Sequence, residues 1–269
     1  MNTPDYSHAS PSVLRGAIGD GHFTGPTAGL AQGYVQCNVV ILPEADADEF
    51  EDFCRQNSQA CPLIDKTSPG DPTPLDAAFG ADLRIHLPRY RIFRNGVPDV
   101  EEPYEIRQLW RKDFVGFLLG CSFTFERALM AASLPVRHLE QNRNVPMYCT
   151  NIACEPCGKF HGPLVVSMRP FAEDQVDRVR RITARYPKMH GPPIHAGDPR
   201  TIGVDDLNQP DFGDAVTVHD GEVPVFWACG VTPQLALENA KCELAITHSP
   251  GCMFISDLRD ELFEESPDV

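Results

Sequence analysis

Between Glu222 and Gln234 the chain reads Glu-Val-Pro-Val-Phe-Trp-Ala-Cys-Gly-Val-Thr-Pro-Gln, an apolar stretch that stops at a glycine and restarts on Thr-Pro. Val223 to Cys229 predict a buried strand. Gly230 breaks it, Thr232 suits a helix N-cap and Pro233 the first helical position, so a helix to about Leu244 is expected. A strand that delivers directly into a helix points to a chain mixing both element types. If the first-turn N–H groups at Gly230, Thr232 and Gln234 face outward beyond the strand, they form a corner suited to a carboxylate, as at the strand ends of open α/β sheets. An ordinary well-capped helix has the same sequence.

The remaining periodicities agree with that class. Tyr34 to Leu42 alternates Val35, Cys37, Val39 and Ile41 against Gln36, Asn38, Val40 and Leu42, the pattern of a strand. Asp46, Asp48 and Glu49 then open an amphipathic helix that carries Ala47, Phe50, Phe53 and Cys54 on one side. Residues 62–80 read as an irregular surface excursion, Tyr90 to Phe93 as a strand entering a turn at Asn95-Gly96, and 105–132 as helix with an apolar, buried second half. Two strand-like runs, Val145 to Ile152 and Leu164 to Met168, precede a helix from Ala172 to Tyr186 and an extended Ile194 to Ala196. Cys252 to Ile255 predicts a last strand before an acidic tail. The expected architecture is a mixed α+β fold: a larger three-layer α/β domain (1–135 plus 206–269) with a smaller two-layer α+β domain inserted at 136–205.

Charge narrows the partners. With 23 Lys+Arg against 38 Asp+Glu, the net charge is −15. That field disfavours nucleic acid and anionic membrane surfaces as partners. A small anionic substrate then needs local guanidinium groups or oriented N–H groups to hold it. The ten cysteines lie scattered from Cys37 to Cys252, without a secretory signal among Met1 to Leu14, and read as buried thiols of a cytoplasmic protein. The longest apolar run, Phe114 to Phe125, is too short to span a bilayer, which takes about 18 residues. Gly16 to Gly33 holds six glycines but lacks the Lys-Ser/Thr ending of a P-loop, so a close-packed or ligand-covering loop is the reading there.

Residue chemistry supplies the candidates. Arg169 and Glu222 stand at strand ends, where a charge can face a cleft or can simply be solvated. Asn38, on a buried strand, needs a hydrogen-bond partner from backbone or ligand. His190, His195, Asp198 and His248 lie beside glycines and prolines, on predicted loops. Cys154-Glu-Pro-Cys157 has a metal spacing without a matching second pair, so it reads as a turn, and no metal or cofactor is assigned.

Several segments together resemble one family. Thr27-Ala-Gly-Leu-Ala-Gln-Gly-Tyr-Val-Gln-Cys-Asn38, Leu87-Pro-Arg-Tyr-Arg91, Gly120-Cys-Ser-Phe-Thr-Phe-Glu126, Val145-Pro-Met-Tyr148, Gly162-Pro-Leu-Val-Val-Ser-Met-Arg-Pro170, His195-Ala-Gly-Asp-Pro199 and the 222–234 run are similar to hydro-lyases related to D-glutamate cyclase, over about residues 15–257. The resemblance implies a larger domain with a smaller one inserted. It also implies loss of water from D-glutamate to give 5-oxo-D-proline, with no ATP. Residue chemistry laid over these motifs assigns Arg169, Gly230, Thr232 and Gln234 to substrate carboxylates, Asn38 and Tyr148 to orienting hydrogen bonds, and Glu222 or His248 to proton transfer. Alternatives are a non-catalytic carboxylate-binding protein on the same scaffold, or a dehydratase of another small hydroxy or amino acid. A homodimer remains open, as does the chirality of the substrate.

Overall fold

The structure, a computed structural model, describes residues 5–265; the ends of the N-terminal segment and of the acidic tail lie outside the described residues. The strands in chain order are β1 (Tyr34–Pro43), β2 (Leu63–Lys66), β3 (Tyr90–Arg94), β4 (Val97–Pro98), β5 (Phe114–Gly120), β6 (Met147–Ala153), β7 (Pro163–Ala172), β8 (His195–Ala196), β9 (Glu222–Ala228), β10 (Leu244–His248) and β11 (Phe254–Arg259). The α-helices are α1 (Pro11–Gly19), α2 (Glu44–Gln56), α3 (Phe123–Ala131), α4 (Arg137–Glu140), α5 (Val176–Ala184) and α6 (Thr232–Ala240). The mixed α and β composition is as the patterns predict.

The first sheet runs β2-β5-β1-β10-β3-β4, with β11 also on β1, and the second runs β6-β7-β9-β8. Every pairing is antiparallel. The corner expected after Cys229 therefore does not lie at the carboxyl edge of a parallel sheet, where open α/β sheets bind ligands. Both faces of β1 are buried: Val35, Cys37, Val39 and Ile41 join a core with Phe125 and Leu129 of α3, while Val40 and Leu42 pack with Phe50 and Phe53 of α2 and Leu237 of α6. The second sheet contributes Phe171, Val225 and Trp227 to the first of these cores, so the two sheets share apolar contacts. Its other face carries Tyr148, Val166, Met168 and Phe226 beneath Ile202, Val204 and Val216.

Three expectations change. Phe114–Gly120 is a central strand, not the buried half of a helix, because an apolar run buried on both faces has no period to betray its geometry. The helix after Gly230 ends at Ala240, where Lys241 adopts a left-handed conformation (φ 51°), and Leu244–His248 is a strand. Glu222–Ala228, placed by the sequence reading in the larger unit, pairs with β7 and β8 in the second sheet, so that sheet draws on both sides of the expected boundary at 205/206. The helix from Pro11 to Gly19 was concealed by the polar, glycine-rich composition of its surroundings.

Candidate functional site

Arg169 is the residue on which the expected carboxylate site rested, and it is fully buried between the sheets. Its Nε donates to Glu126 Oε1 at 3.0 Å, and its terminal amines donate to Ser167 Oγ (3.1 Å), Ser122 Oγ (3.0 Å) and again to Glu126. The guanidinium stacks 5.4 Å from both Phe125 and Trp227. His138 Nε2 lies 3.2 Å from Glu126 Oε1 without hydrogen-bond alignment, and among the described residues both its ring nitrogens and Glu126 Oε2 have no hydrogen-bond partner. Burial pushes the Glu126 carboxyl upward, yet His138 and Arg169 outweigh it and hold the group below the usual carboxylate range. Arg169 is thus spent on an internal ion pair. It pins β7 to α3.

The corner after β9 is closed rather than open. A Cβ on Gly230 would lie 2.0 Å from Asn38 Nδ2, so only glycine allows Asn38 to occupy the turn. Asn38 donates to Gly120 O at 2.6 Å, which is the backbone partner its burial demands. Val231, not Thr232, is the N-cap, and the first-turn N–H groups of Thr232 and Gln234 already bond to Cys229 O and Val231 O, each at 2.9 Å. The Thr232 hydroxyl accepts from Val165 N–H on β7 (3.0 Å). These groups secure the junction of the second sheet with α6 and are not free for an anion.

The other assignments also move. Glu222 is bonded to Arg137 (2.6 and 3.2 Å) and to His219 N–H (2.7 Å); burial raises its carboxyl, and these partners more than reverse the effect. Tyr148 donates to Leu207 O (2.8 Å) on the far side of the second sheet, and burial pushes its phenol up. His248 faces β1, where its Nδ1 accepts from Val39 N–H (3.1 Å), and burial pushes the imidazole down to about 4. His190 bonds Gln59 O through Nδ1 (2.8 Å) and is likewise pushed down to about 4, while His195 stacks on Phe226 with centroids 5.7 Å apart. Asp198 pairs with Arg200 on the surface. Cys157 and Phe160 bridge each other's backbone around a turn at Gly158-Lys159, just after Cys154-Glu-Pro-Cys157, and among the described residues no three His, Cys, Asp or Glu side chains converge as metal ligands.

What the fold does open is a cleft of about 420 Å³ beside β3 and β10, within the size range of small-molecule sites. Its construction starts from register. Tyr90 pairs with His248, and the ladder continues as Ser249 N–H donates to Arg89 O at 3.0 Å, so Arg89 and Ser249 stand side by side at the end of the two strands. Tyr90 and Ile92 point into the core, which sends Arg91 to the opposite face. There Glu102 accepts from its Nε (3.0 Å), Gln234 Oε1 accepts from its Nη1 (3.3 Å), and the guanidinium lies 5.8 Å from the Phe212 ring. Gln234 is itself oriented by donating to His248 O at 3.0 Å. Two residues expected in the site therefore act from behind Arg91.

Arg89 is held differently. Its Nε donates to Thr24 O (3.1 Å) and its guanidinium covers Tyr104 at 5.1 Å, but among the described residues its two terminal amines have no hydrogen-bond acceptor and no carboxylate partner. Lining the same cavity are Asp211, which accepts from Cys149 N–H (2.8 Å), and Asn144, whose Nδ2 donates to Pro250 O (3.1 Å). Gly251 (φ +87°) lets the 249–252 loop close over Asn144, since a Cβ there would lie 2.5 Å from the amide. Cys252 bonds Gly25 O through sulfur at 3.7 Å, and burial pushes its thiol to about 12, which leaves it a wall rather than a nucleophile. The signal for this site lay in Leu87-Pro-Arg-Tyr-Arg91, where two arginines bracket a buried tyrosine at a strand start.

Residues 115–257 match the sequence model of the family described as D-glutamate cyclase. A protein of Rubrobacter xylanophilus bearing the name "Putative hydro-lyase" is 56% identical over 264 residues, covering 98% of this chain and 100% of that one. Relatives of the same name from Stutzerimonas stutzeri (54% identical, 97% and 98% covered) and Geobacillus kaustophilus (55% identical, 94% and 95% covered) span the same length. A crystal structure of a nitrogen repressor-like protein from Methanococcus jannaschii aligns with 90% of this chain and 96% of its own at 10% identity and a TM-score of 0.38, too low to bear on the fold. No helix of the described residues is long and apolar enough to cross a membrane.

Proposed function

This chain belongs to the D-glutamate cyclase family, and from that premise we propose that it is a hydro-lyase that closes D-glutamate to 5-oxo-D-proline in the Arg89–Arg91 cleft. The observation that carries the reading is Arg89: a guanidinium with both terminal amines unpaired among the described residues, in a cavity of a molecule whose net charge is −15. A planar fork of that kind recognises a carboxylate with two parallel bonds.

The reaction needs no co-reactant. The amine nitrogen bonds to the γ-carboxyl carbon, one C–O bond breaks, and two protons pass from the ammonium to the departing oxygen, which leaves as water. In this reading Arg89 takes the α-carboxylate. Arg91, clamped by Glu102 and Gln234, directs its remaining N–H groups toward the γ-carboxylate, where oxyanion charge grows as nitrogen attacks. Asp211 receives a proton from the ammonium and returns it to the leaving oxygen. Holding the chain curled contributes on the order of 7–11 kcal/mol to such an internal closure. With all ten cysteines present as thiols, we place the protein in the reducing cytoplasm.

The test is incubation of the purified protein with D-glutamate and, separately, L-glutamate, followed by chiral chromatography of 5-oxoproline. Formation of 5-oxo-D-proline that is lost in Arg89→Met supports the reading. Binding without product favours a silent carboxylate-binding protein, and an unsaturated product from a hydroxy acid favours a dehydratase of that class.

A further inference from the structure

The wall of the cleft holds two buried polar atoms with no hydrogen-bond partner among the described residues, and the proposed reaction leaves them unassigned. Ser249 is 3% exposed and, among the described residues, its Oγ has no hydrogen-bond partner; Asn144 Oδ1 is buried and equally unpartnered among them, and both residues line the cavity that holds Arg89. On the reading that this cleft takes a dicarboxylate, we propose that Ser249 Oγ and Asn144 Oδ1 form an amine subsite, which selects α-amino dicarboxylates over dicarboxylates and hydroxy acids of the same length.

The orientation of Asn144 decides what it recognises. Its Nδ2 donates to Pro250 O at 3.1 Å; turning the amide over would set oxygen against that carbonyl, so the free atom is the acceptor. An ammonium group offers three N–H donors and no acceptor, whereas a second carboxylate would meet Oδ1 as one acceptor meets another. Ser249 Oγ supplies a second acceptor. Its N–H is engaged with Arg89 O at 3.0 Å, which places the hydroxyl in register with the arginine that takes the α-carboxylate. The α-carboxylate and α-amine of an amino acid sit on one carbon, so adjacent recognition groups on paired strands match that separation. Asp211 lines the same cavity and provides a negative charge to accompany the cation.

Two ligands separate this proposal from the reading beneath it. Glutarate has both carboxylates of glutamate and no amine. Titration calorimetry on the full chain is expected to show D-glutamate binding about tenfold or more tighter than glutarate, the preference a buried, satisfied amine contact provides. Ser249→Ala and Asn144→Leu should each reduce that preference severalfold while glutarate affinity stays within about twofold. Ser249→Ala removes a hydroxyl that has no bond to lose, so its melting temperature should match or exceed the wild type, which shows that the lost preference is not a folding defect. If the wild type binds both ligands equally, or if both variants keep the full preference, the amine subsite is overturned and the carboxylate cleft stands. If neither ligand binds, the cleft reading fails with it.

Discussion

Arg169 and Arg89 are the same side chain in two opposite situations. Arg169 lies between the sheets with Glu126 bonded to it, two serine hydroxyls accepting its remaining donors, and aromatic rings on both sides. Arg89 stands at the end of β3 with one nitrogen tied to Thr24 and the rest facing a cavity. The first is what a buried charge must look like to persist, because an unpaired one is expensive to take out of water. The second is what a ligand needs. An arginine in a suggestive motif is therefore a site only if the surrounding elements have left its donors unused.

That contrast can be broken in four ways, the strongest first. Arg169→Met leaves Glu126 buried with only His138 beside it and should cost about 3–5 kcal/mol of unfolding free energy, with the turnover of the remaining folded protein unchanged. The double variant Arg169→Met with Glu126→Leu should recover most of the loss. A double variant as unstable as the single one would mean that the pair is not the pin described here.

The interior should also carry the pH dependence of stability. His190 and His248 are pushed by burial from 6.5 to about 4 in the folded protein, so the unfolded chain binds more protons between those values. Stability is full above about pH 6.5 and falls as the pH drops toward 4, by up to on the order of 3 kcal/mol per histidine. Urea midpoints measured from pH 7.5 to 4.5 check this, and a flat profile contradicts it.

The cleft should behave the other way. Arg89→Met should raise KM for the carboxylate substrate about 100-fold, roughly 2.7 kcal/mol, while stability changes by less than about 0.5 kcal/mol. A stability loss like that of Arg169→Met would place Arg89 among the structural arginines. Gln234→Leu, which frees Arg91 on one side, should lower kcat/KM by about tenfold, and Gln234→Glu, which keeps an acceptor at that position, should recover part of the loss. Equal effects from the leucine and glutamate variants would remove Gln234 from its positioning role.

The legible parts of the fold were those whose periodicity is visible without neighbours. The alternation in Tyr34–Pro43 and the amphipathic faces of α2 and α5 each matched an element. Phe114–Gly120 and Leu244–His248 did not, because residues buried on every side show no contrast between faces. Beside the proposed cleft, Gln234, expected on a substrate carboxylate, accepts from Arg91, and His248, expected in proton transfer, turns its ring to β1 and offers Gln234 its backbone carbonyl. Arg89, Asn144 and Ser249 were overlooked because each is an unremarkable residue until β3, β10 and the 249–252 loop bring it to the same hollow. Arg169 was misjudged for the complementary reason: its partner Glu126 is 43 residues away.

From the amino acids alone came the mixture of helices and strands, the negative field that forces any anion site to be local, and the family to which the motifs belong. Local patterning, charge count and ordered motifs survive in one dimension, and that is where those properties reside. Which arginine is bonded away and which keeps its terminal amines toward a cavity was decided by the antiparallel register of β3 with β10 and by the packing of α3 against β7. Availability is a property of what a donor already touches, and contacts between distant segments exist only once the chain has folded.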